Sequence, residues 1–68
     1  MISGVYFYVI SWNLIQGESI PVREYTTTSE KIARTKFSNL IPNLSRTKVD
    51  LYKMDHGESI CLETKEVI

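Results

Sequence analysis

Only one stretch of the chain, residues 27–42, has the pattern of an α-helix. Thr27 followed by Glu30 matches a capping box, and Ser29 is an alternative N-cap. Pro42 ends the pattern because proline cannot continue a helix. The side chains in between divide into a polar and an apolar half, which predicts an amphipathic helix of about three turns. The apolar half consists of Ile32, Ala33, Phe37, Leu40 and Ile41.

The segments on both sides of this helix are predicted to be strands. β-Branched and aromatic residues dominate residues 5–14, and a second strand over residues 20–26 contains Pro21, which places it at a sheet edge. Residues 47–54 and 59–65 alternate apolar and polar side chains. We therefore predict one α+β domain over residues 1–68 with the order ββαββ. Its four-stranded antiparallel sheet has the strand order 2-1-3-4, with one helix on one face.

The turn between the first two strands determines which of their side chains face each other. A turn centred on residues 17–18 sets Ile10 opposite Tyr25. The same turn sets Trp12 opposite Arg23, where the two side chains could form a cation–π contact. This register places all four side chains on one face of the sheet.

The second hairpin has two possible registers. A turn centred on His56-Gly57 places the glycine at a position that suits it, but sets Asp50 opposite Glu63. A turn centred on residues 55–56 pairs Lys48 with Glu63, and we favour it because like charges directly opposite are destabilising. Both registers have the same parity and therefore place the same side chains together. These are Val49, Leu51, Ile60 and Leu62.

One helix covers only one face of a four-stranded sheet, so the second face must meet solvent or a partner. The expected core face consists of Val5, Phe7, Val9, Val22, Val49, Leu51, Ile60 and Leu62. The opposite face is predicted to bind a protein partner, because tyrosine and tryptophan suit a surface that is wet part of the time. Its predicted contact residues are Tyr6, Tyr8, Ile10, Trp12, Arg23, Tyr25 and Tyr52. In the alternative arrangement the helix covers the aromatic face, and the tyrosines lie at the rim of the core.

The net charge is zero, but the charges are unevenly distributed along the chain. Residues 31–49 contain no acid and five cations, namely Lys31, Arg34, Lys36, Arg46 and Lys48. This basic segment is either a solvated helix face or a phosphate-binding patch. With sheet aromatics that stack bases, it makes nucleic-acid binding the alternative function.

The sequence has no recognisable catalytic or cofactor-binding pattern. Cys61 and His56 are the only soft metal ligands, and the three glycines are isolated, so we expect no enzyme, no metal and no cofactor. The single cysteine, and the absence of positively charged side chains in residues 1–4, predict a complete cytoplasmic protein without a membrane segment. A domain of 68 residues buries only about 60% of its unfolded surface, so self-association, as in a homodimer, is expected to stabilise it.

The layout also resembles a class of small proteins. A capped helix follows an amino-terminal hairpin, and a terminal hairpin contains Leu51-Tyr52-Lys53 and Gly57-Glu58. In this outline the chain resembles short stand-alone proteins of bacteriophages and mobile elements, and is similar to small anti-CRISPR and other anti-defence inhibitors. The resemblance covers most of the chain as a pattern and carries over no functional residue. It implies an inhibitor that blocks a host protein by occupying a surface. This agrees with the binding of a protein partner that the residues themselves predict, through the aromatic sheet face or the exposed strand edge.

Overall fold

A computed structural model describes residues 4–67 of the chain. Strands β1 (Val5–Ile15) and β2 (Glu18–Thr27) form a first hairpin, helix α1 (Glu30–Asn39) follows, and strands β3 (Arg46–Asp55) and β4 (Glu58–Glu66) form a second hairpin. The four strands are antiparallel neighbours in one sheet of order β2-β1-β3-β4. The predicted α+β fold, element order and strand order are confirmed.

Helix α1 begins at the second of the two predicted caps. The Ser29 hydroxyl accepts a 3.3 Å hydrogen bond from the Ile32 amide, while Thr27 still belongs to β2 and accepts a 3.1 Å bond from the Ser29 amide. The capping box predicted from Thr27 and Glu30 is therefore wrong, and the Glu30 carboxylate pairs with Arg34 instead. The helix ends at Asn39, where Leu40 takes an extended conformation.

The first hairpin turns one residue earlier than predicted. Gln16 and Gly17 occupy the turn with φ angles of 51° and 83°. Positive φ at both central residues is the requirement of a type I′ turn, and glycine meets it without steric cost. Ile10 consequently lies opposite Arg23, and Trp12 lies opposite Pro21, so both predicted cross-strand pairs are wrong.

A bulge in this hairpin changes the face of one predicted site residue. Val9 pairs with Tyr25 and the next residue, Ile10, pairs with Arg23, which leaves Glu24 as the extra residue of β2. A bulge interrupts the alternation of faces along a strand. Tyr25 therefore lies on the same side as α1, with the Lys36 ammonium 4.9 Å from its ring centre, and its predicted place among the other aromatics is wrong.

The second hairpin uses the register that the sequence analysis did not favour. His56 and Gly57 form the turn, with φ angles of 49° and 89°, and Asp55 lies opposite Glu58. A bulge at Leu62 shifts the ladder by one residue, so Thr64 rather than Glu63 lies opposite Asp50. The bulge removes the like-charge pair that counted against this register.

The core lies between α1 and the aliphatic face of the sheet, as predicted, and the alternative arrangement with α1 over the aromatic face is wrong. Two predicted core residues, Val22 and Ile60, are 41% and 38% exposed. A ten-residue helix is only ~15 Å long, whereas the molecule is 37 Å long, so α1 leaves the sheet margins uncovered. Ile32 of α1 and Ile41, which lies beyond the end of α1, belong to the predicted apolar half of the helix but are 44% and 62% exposed. The buried cluster consists of Phe7, Val9, Ala33, Phe37, Val49 and Leu51.

Within residues 4–67, α1 is too short and too polar to cross a lipid bilayer.

Candidate functional site

The face of the sheet opposite α1, here called the helix-free face, is the candidate site. Strand alternation and the two bulges determine which side chains lie on it. Six of the seven predicted contact residues belong to this face, and Tyr25 is the exception. The central members of the face are Tyr6, Tyr8, Ile10, Trp12 and Leu14 of β1, and Lys48, Asp50, Tyr52 and Met54 of β3. Thr26, Arg23, Pro21 and Ser19 of β2 form one margin, and Ser59, Cys61, Thr64 and Glu66 of β4 form the other.

Tyr8 lies at the centre of a row of side chains that crosses the sheet. Its ring stacks on the ring of Tyr52, with the centroids 5.2 Å apart and the planes at 14°. From the β2 side, the Arg23 guanidinium lies 4.3 Å from the Tyr8 ring centre, and the Tyr8 hydroxyl lies 2.6 Å from the Ser59 hydroxyl. Tyr8 is only 8% exposed, although no helix covers it. Tyr8 therefore has Tyr52 against one face of its ring and Arg23 against the other.

A buried carboxylate lies beside this row. Asp50 is 1% exposed, and its Oδ2 accepts a 2.8 Å hydrogen bond from Trp12 Nε1 and a 3.4 Å bond from the Tyr52 hydroxyl. The Thr64 hydroxyl donates to Oδ1. Within residues 4–67 no cation forms an ion pair with Asp50, so these neutral donors alone offset the cost of burying its charge.

The buried network also changes the acidity of Tyr52. Burial of the phenol raises its pKa above the ordinary value, and the negative charge of Asp50 raises the pKa further. The Tyr52 hydroxyl therefore stays protonated at neutral pH and remains a donor to the Asp50 carboxylate. The hydrogen bonds tie Trp12, Asp50 and Tyr52 into one preformed layer.

Two cations lie on the helix-free face without an acidic partner. Arg23 stacks on Tyr8, and the Lys48 ammonium lies 5.6 Å from the ring centre of Trp12. Within the described part of the chain neither cation forms an ion pair, although Glu66 lies opposite Lys48 in the register.

The structure does not bring the five predicted nucleic-acid contacts together. Lys31, Arg34 and Lys36 belong to α1 and lie on the opposite side of the sheet from the aromatic layer. Arg34 pairs with Glu30 and Glu63. Arg46 donates a 3.4 Å hydrogen bond to the Ile41 carbonyl beside the end of α1, so only Lys48 shares a face with the aromatic rings.

Both edges of the sheet carry features that hinder the addition of another strand. In β2, pairing that starts from a two-residue turn leaves Pro21 in a pair whose backbone nitrogen points outward, and proline has no hydrogen to donate there. In β4, the bulge at Leu62 interrupts the row of outward backbone groups. Lys65 turns towards α1, where its ammonium donates a 2.6 Å hydrogen bond to the Phe37 carbonyl.

The sequence analysis missed Asp50, Ser59 and Thr64 as members of this layer. A signal for Asp50 was present, since a charged residue in an apolar strand at the same parity as Tyr52 indicates a buried, hydrogen-bonded carboxylate. Within residues 4–67, no cluster of three or more histidine, cysteine, aspartate or glutamate side chains is suited to bind a metal ion. Comparison of the chain with protein-family models, curated proteins and solved structures found no match.

Proposed function

We propose that this protein is a non-enzymatic interaction protein that binds another protein through the helix-free face. The single observation that carries the proposal is the preformed aromatic layer of Tyr8, Trp12 and Tyr52, with two cations on it that lack acidic partners within residues 4–67. Aromatic residues and arginine are enriched at protein interfaces, where they dominate the binding energy. The partner surface that fits this layer offers apolar side chains to the rings, and carboxylates or aromatic faces to Arg23 and Lys48.

The orientation of the rings favours a protein over a nucleic acid. Base stacking needs a free aromatic face, but Tyr8 has Tyr52 on one side and Arg23 on the other. The cations of α1 lie on the far side of the sheet, so they do not reach phosphates of a strand bound to the aromatic layer. These observations count against nucleic-acid binding, and the experiment below includes it as an outcome.

The edges are less suited to binding than the face. Pro21 interrupts the donors of β2, and the bulge at Leu62 interrupts β4. Natural sheets use both features to prevent strand addition. Of the two surfaces that the sequence analysis considered, we therefore propose the helix-free face. The inhibitor role implied by the resemblance to anti-defence proteins stays a prediction.

Site-specific photocrosslinking in living cells tests this proposal. A photoreactive phenylalanine analogue replaces Leu14, which is 48% exposed on the helix-free face, or Ile20, which is exposed on the helix side, as the matched control. We expect crosslinks to one protein species, either a different protein or a second copy of the chain, from position 14 and not from position 20. The crosslink should be lost when Arg23→Glu is added and should persist after nuclease treatment. Crosslinks to nucleic acid alone, or equal yields from both positions, would contradict the proposal.

A further inference from the structure

We infer that the protein bound by the helix-free face is a second copy of this chain, packed face to face with β2 of one copy over β4 of the other. The inference rests on the proposed function and names its partner. In this arrangement a two-fold axis runs between the sheets and parallel to the strands. Two-fold symmetry requires that the face be complementary to itself, and both its size and its charges meet that requirement.

The face has the size that a dimer of this kind needs. The molecule measures 37 × 21 × 16 Å along its principal axes, and its broad side is the sheet. The area of this broad side, which measures 37 Å by 21 Å, is close to the ~800 Å² per partner of a standard specific interface. Sheets that pack face to face with nearly aligned strands form a layer about 10 Å thick from their facing side chains. Here the facing aromatic and aliphatic side chains would add buried area to a chain whose own core is small.

The charges at the two margins are complementary under this symmetry. Arg23 lies at the β2 margin and Glu66 at the β4 margin. Rotation about an axis parallel to the strands keeps each residue at its level along the strand, so Arg23 meets the level of Thr64 of the second copy. Glu66 lies two residues further along the same strand, about 7 Å away and in the direction opposite to Tyr8. Arg23 reaches it when its side chain turns away from the Tyr8 ring, on which it stacks in the single chain. Two equivalent ion pairs therefore form together.

The central strands are complementary as well. Trp12 and Lys48 occupy the same level on β1 and β3, so the rotation places Lys48 of one copy over Trp12 of the other. Tyr8 and Tyr52 also share a level and come to face each other across the interface. The buried Asp50 faces Ile10, so the two Asp50 carboxylates are not brought into contact.

A charge-swap experiment on the purified full chain tests the ion pair. Sedimentation equilibrium should give a dimer for the wild type. We expect Arg23→Glu or Glu66→Arg to weaken dimerisation at least about tenfold, or 1.4 kcal/mol, and the double swap to restore it to within about threefold. Lys31→Glu, an equal charge reversal on exposed α1, is the control and should leave the dimer unchanged. Circular dichroism confirms that each variant is folded.

A crosslink tests the orientation without disturbing the charges. Thr26 lies at the level of Tyr8, Tyr52 and Cys61, so the symmetry places Thr26 of one copy across from Cys61 of the other. We expect a short bis-maleimide to link Thr26→Cys chains into dimers, whereas the wild type, with Cys61 alone, and Lys31→Cys give little linked product. Efficient linkage of the wild type would instead indicate a β4-to-β4 dimer and overturn the inference.

The two proposals fail in different ways. A chain that is monomeric at every concentration, but crosslinks from position 14 to a different protein in cells, refutes self-association and leaves the proposed function standing. A dimer unaffected by Arg23→Glu, or a charge swap that restores nothing, also refutes the face-to-face arrangement. Absence of any protein crosslink from position 14 in cells refutes the proposed function itself.

Discussion

Trp12 Nε1 donates a 2.8 Å hydrogen bond to the Asp50 carboxylate on the side of the sheet that α1 does not cover. Asp50 is nevertheless as buried as the core residues, because Trp12, Tyr52 and Thr64 surround it and donate to it. The sheet therefore has packed side chains on both faces, an aliphatic set beneath α1 and a hydrogen-bonded aromatic set opposite. This polar network fixes the positions of the rings, as satisfied buried networks do.

Asp50→Ala should destabilise the fold strongly. The substitution leaves Trp12 Nε1 without its acceptor, and an unsatisfied buried donor costs about 1–3 kcal/mol. It also removes the nearer acceptor of the Thr64 hydroxyl, but Thr64 is exposed and keeps a 3.4 Å hydrogen bond to the Val49 carbonyl. Asp50→Asn should cost clearly less, because its amide oxygen still accepts from Trp12 and its NH2 group donates to the Thr64 hydroxyl. Urea unfolding measures both variants. Equal losses from the two substitutions would contradict a role of the hydrogen bonds in stability.

The stability of the fold should fall at alkaline pH through Tyr52. Burial, and then the charge of Asp50, raise the pKa of this phenol in the folded chain above its usual value near 10. The folded chain therefore keeps a proton that the unfolded chain loses. This contribution is fully present below about pH 10 and is lost as the pH rises through the folded-state pKa.

Comparison with Tyr52→Phe isolates this contribution, since phenylalanine does not titrate. The free energy of unfolding of the wild type, relative to that of Tyr52→Phe, should be constant between pH 8 and about pH 10 and should fall above it. Urea unfolding at a series of pH values gives the difference directly. A difference that does not change with pH would show that folding leaves the acidity of Tyr52 unaltered.

The first turn offers a stabilising substitution and a destabilising one at neighbouring positions. Gln16 has φ 51°, and asparagine before glycine is the preferred pair in a type I′ turn, so Gln16→Asn should stabilise the chain by about 0.5 kcal/mol. Gly17→Ala should cost about 1–2 kcal/mol, because Gly17 has φ 83°. Open space surrounds the added methyl group, so the cost arises from the backbone alone. Thermal unfolding of both variants checks the two signs.

The fold was largely predictable because its main features depend on periodicity. A period of two in the strands and a single amphipathic helix determine the element order and the face that α1 covers. The local registers were not predictable from the same pattern. A regular ladder after the His56-Gly57 turn would set Asp50 opposite Glu63, whereas the bulge at Leu62 brings Thr64 to Asp50. The turn requires positive φ, which Gly57 adopts at no steric cost, so the position of this glycine predicted the register better than the pairing of charges did.

The candidate site was predictable at its centre and not at its margin. Tyr8, Trp12 and Tyr52 share a face because they lie on the two central strands in regular register over most of their length. Tyr25 left that face because one extra residue, Glu24, shifts the alternation in β2. The stacking of Tyr8 between Tyr52 and Arg23 depends on rotamers, which alternation does not encode.

Replacement of Pro21 should convert β2 into an edge open to strand addition. Pro21→Thr supplies an outward backbone donor at the middle of an exposed strand, and threonine favours extended structure. We expect faster aggregation at high concentration, followed by light scattering and thioflavin fluorescence, with little change in the free energy of unfolding of the dilute chain. Pro42→Thr, in the segment between α1 and β3, is the matched control and should aggregate like the wild type. Equal aggregation rates of the two variants would show that the missing donor of Pro21 does not protect the edge. The β2 edge would then be as open to a partner as the helix-free face.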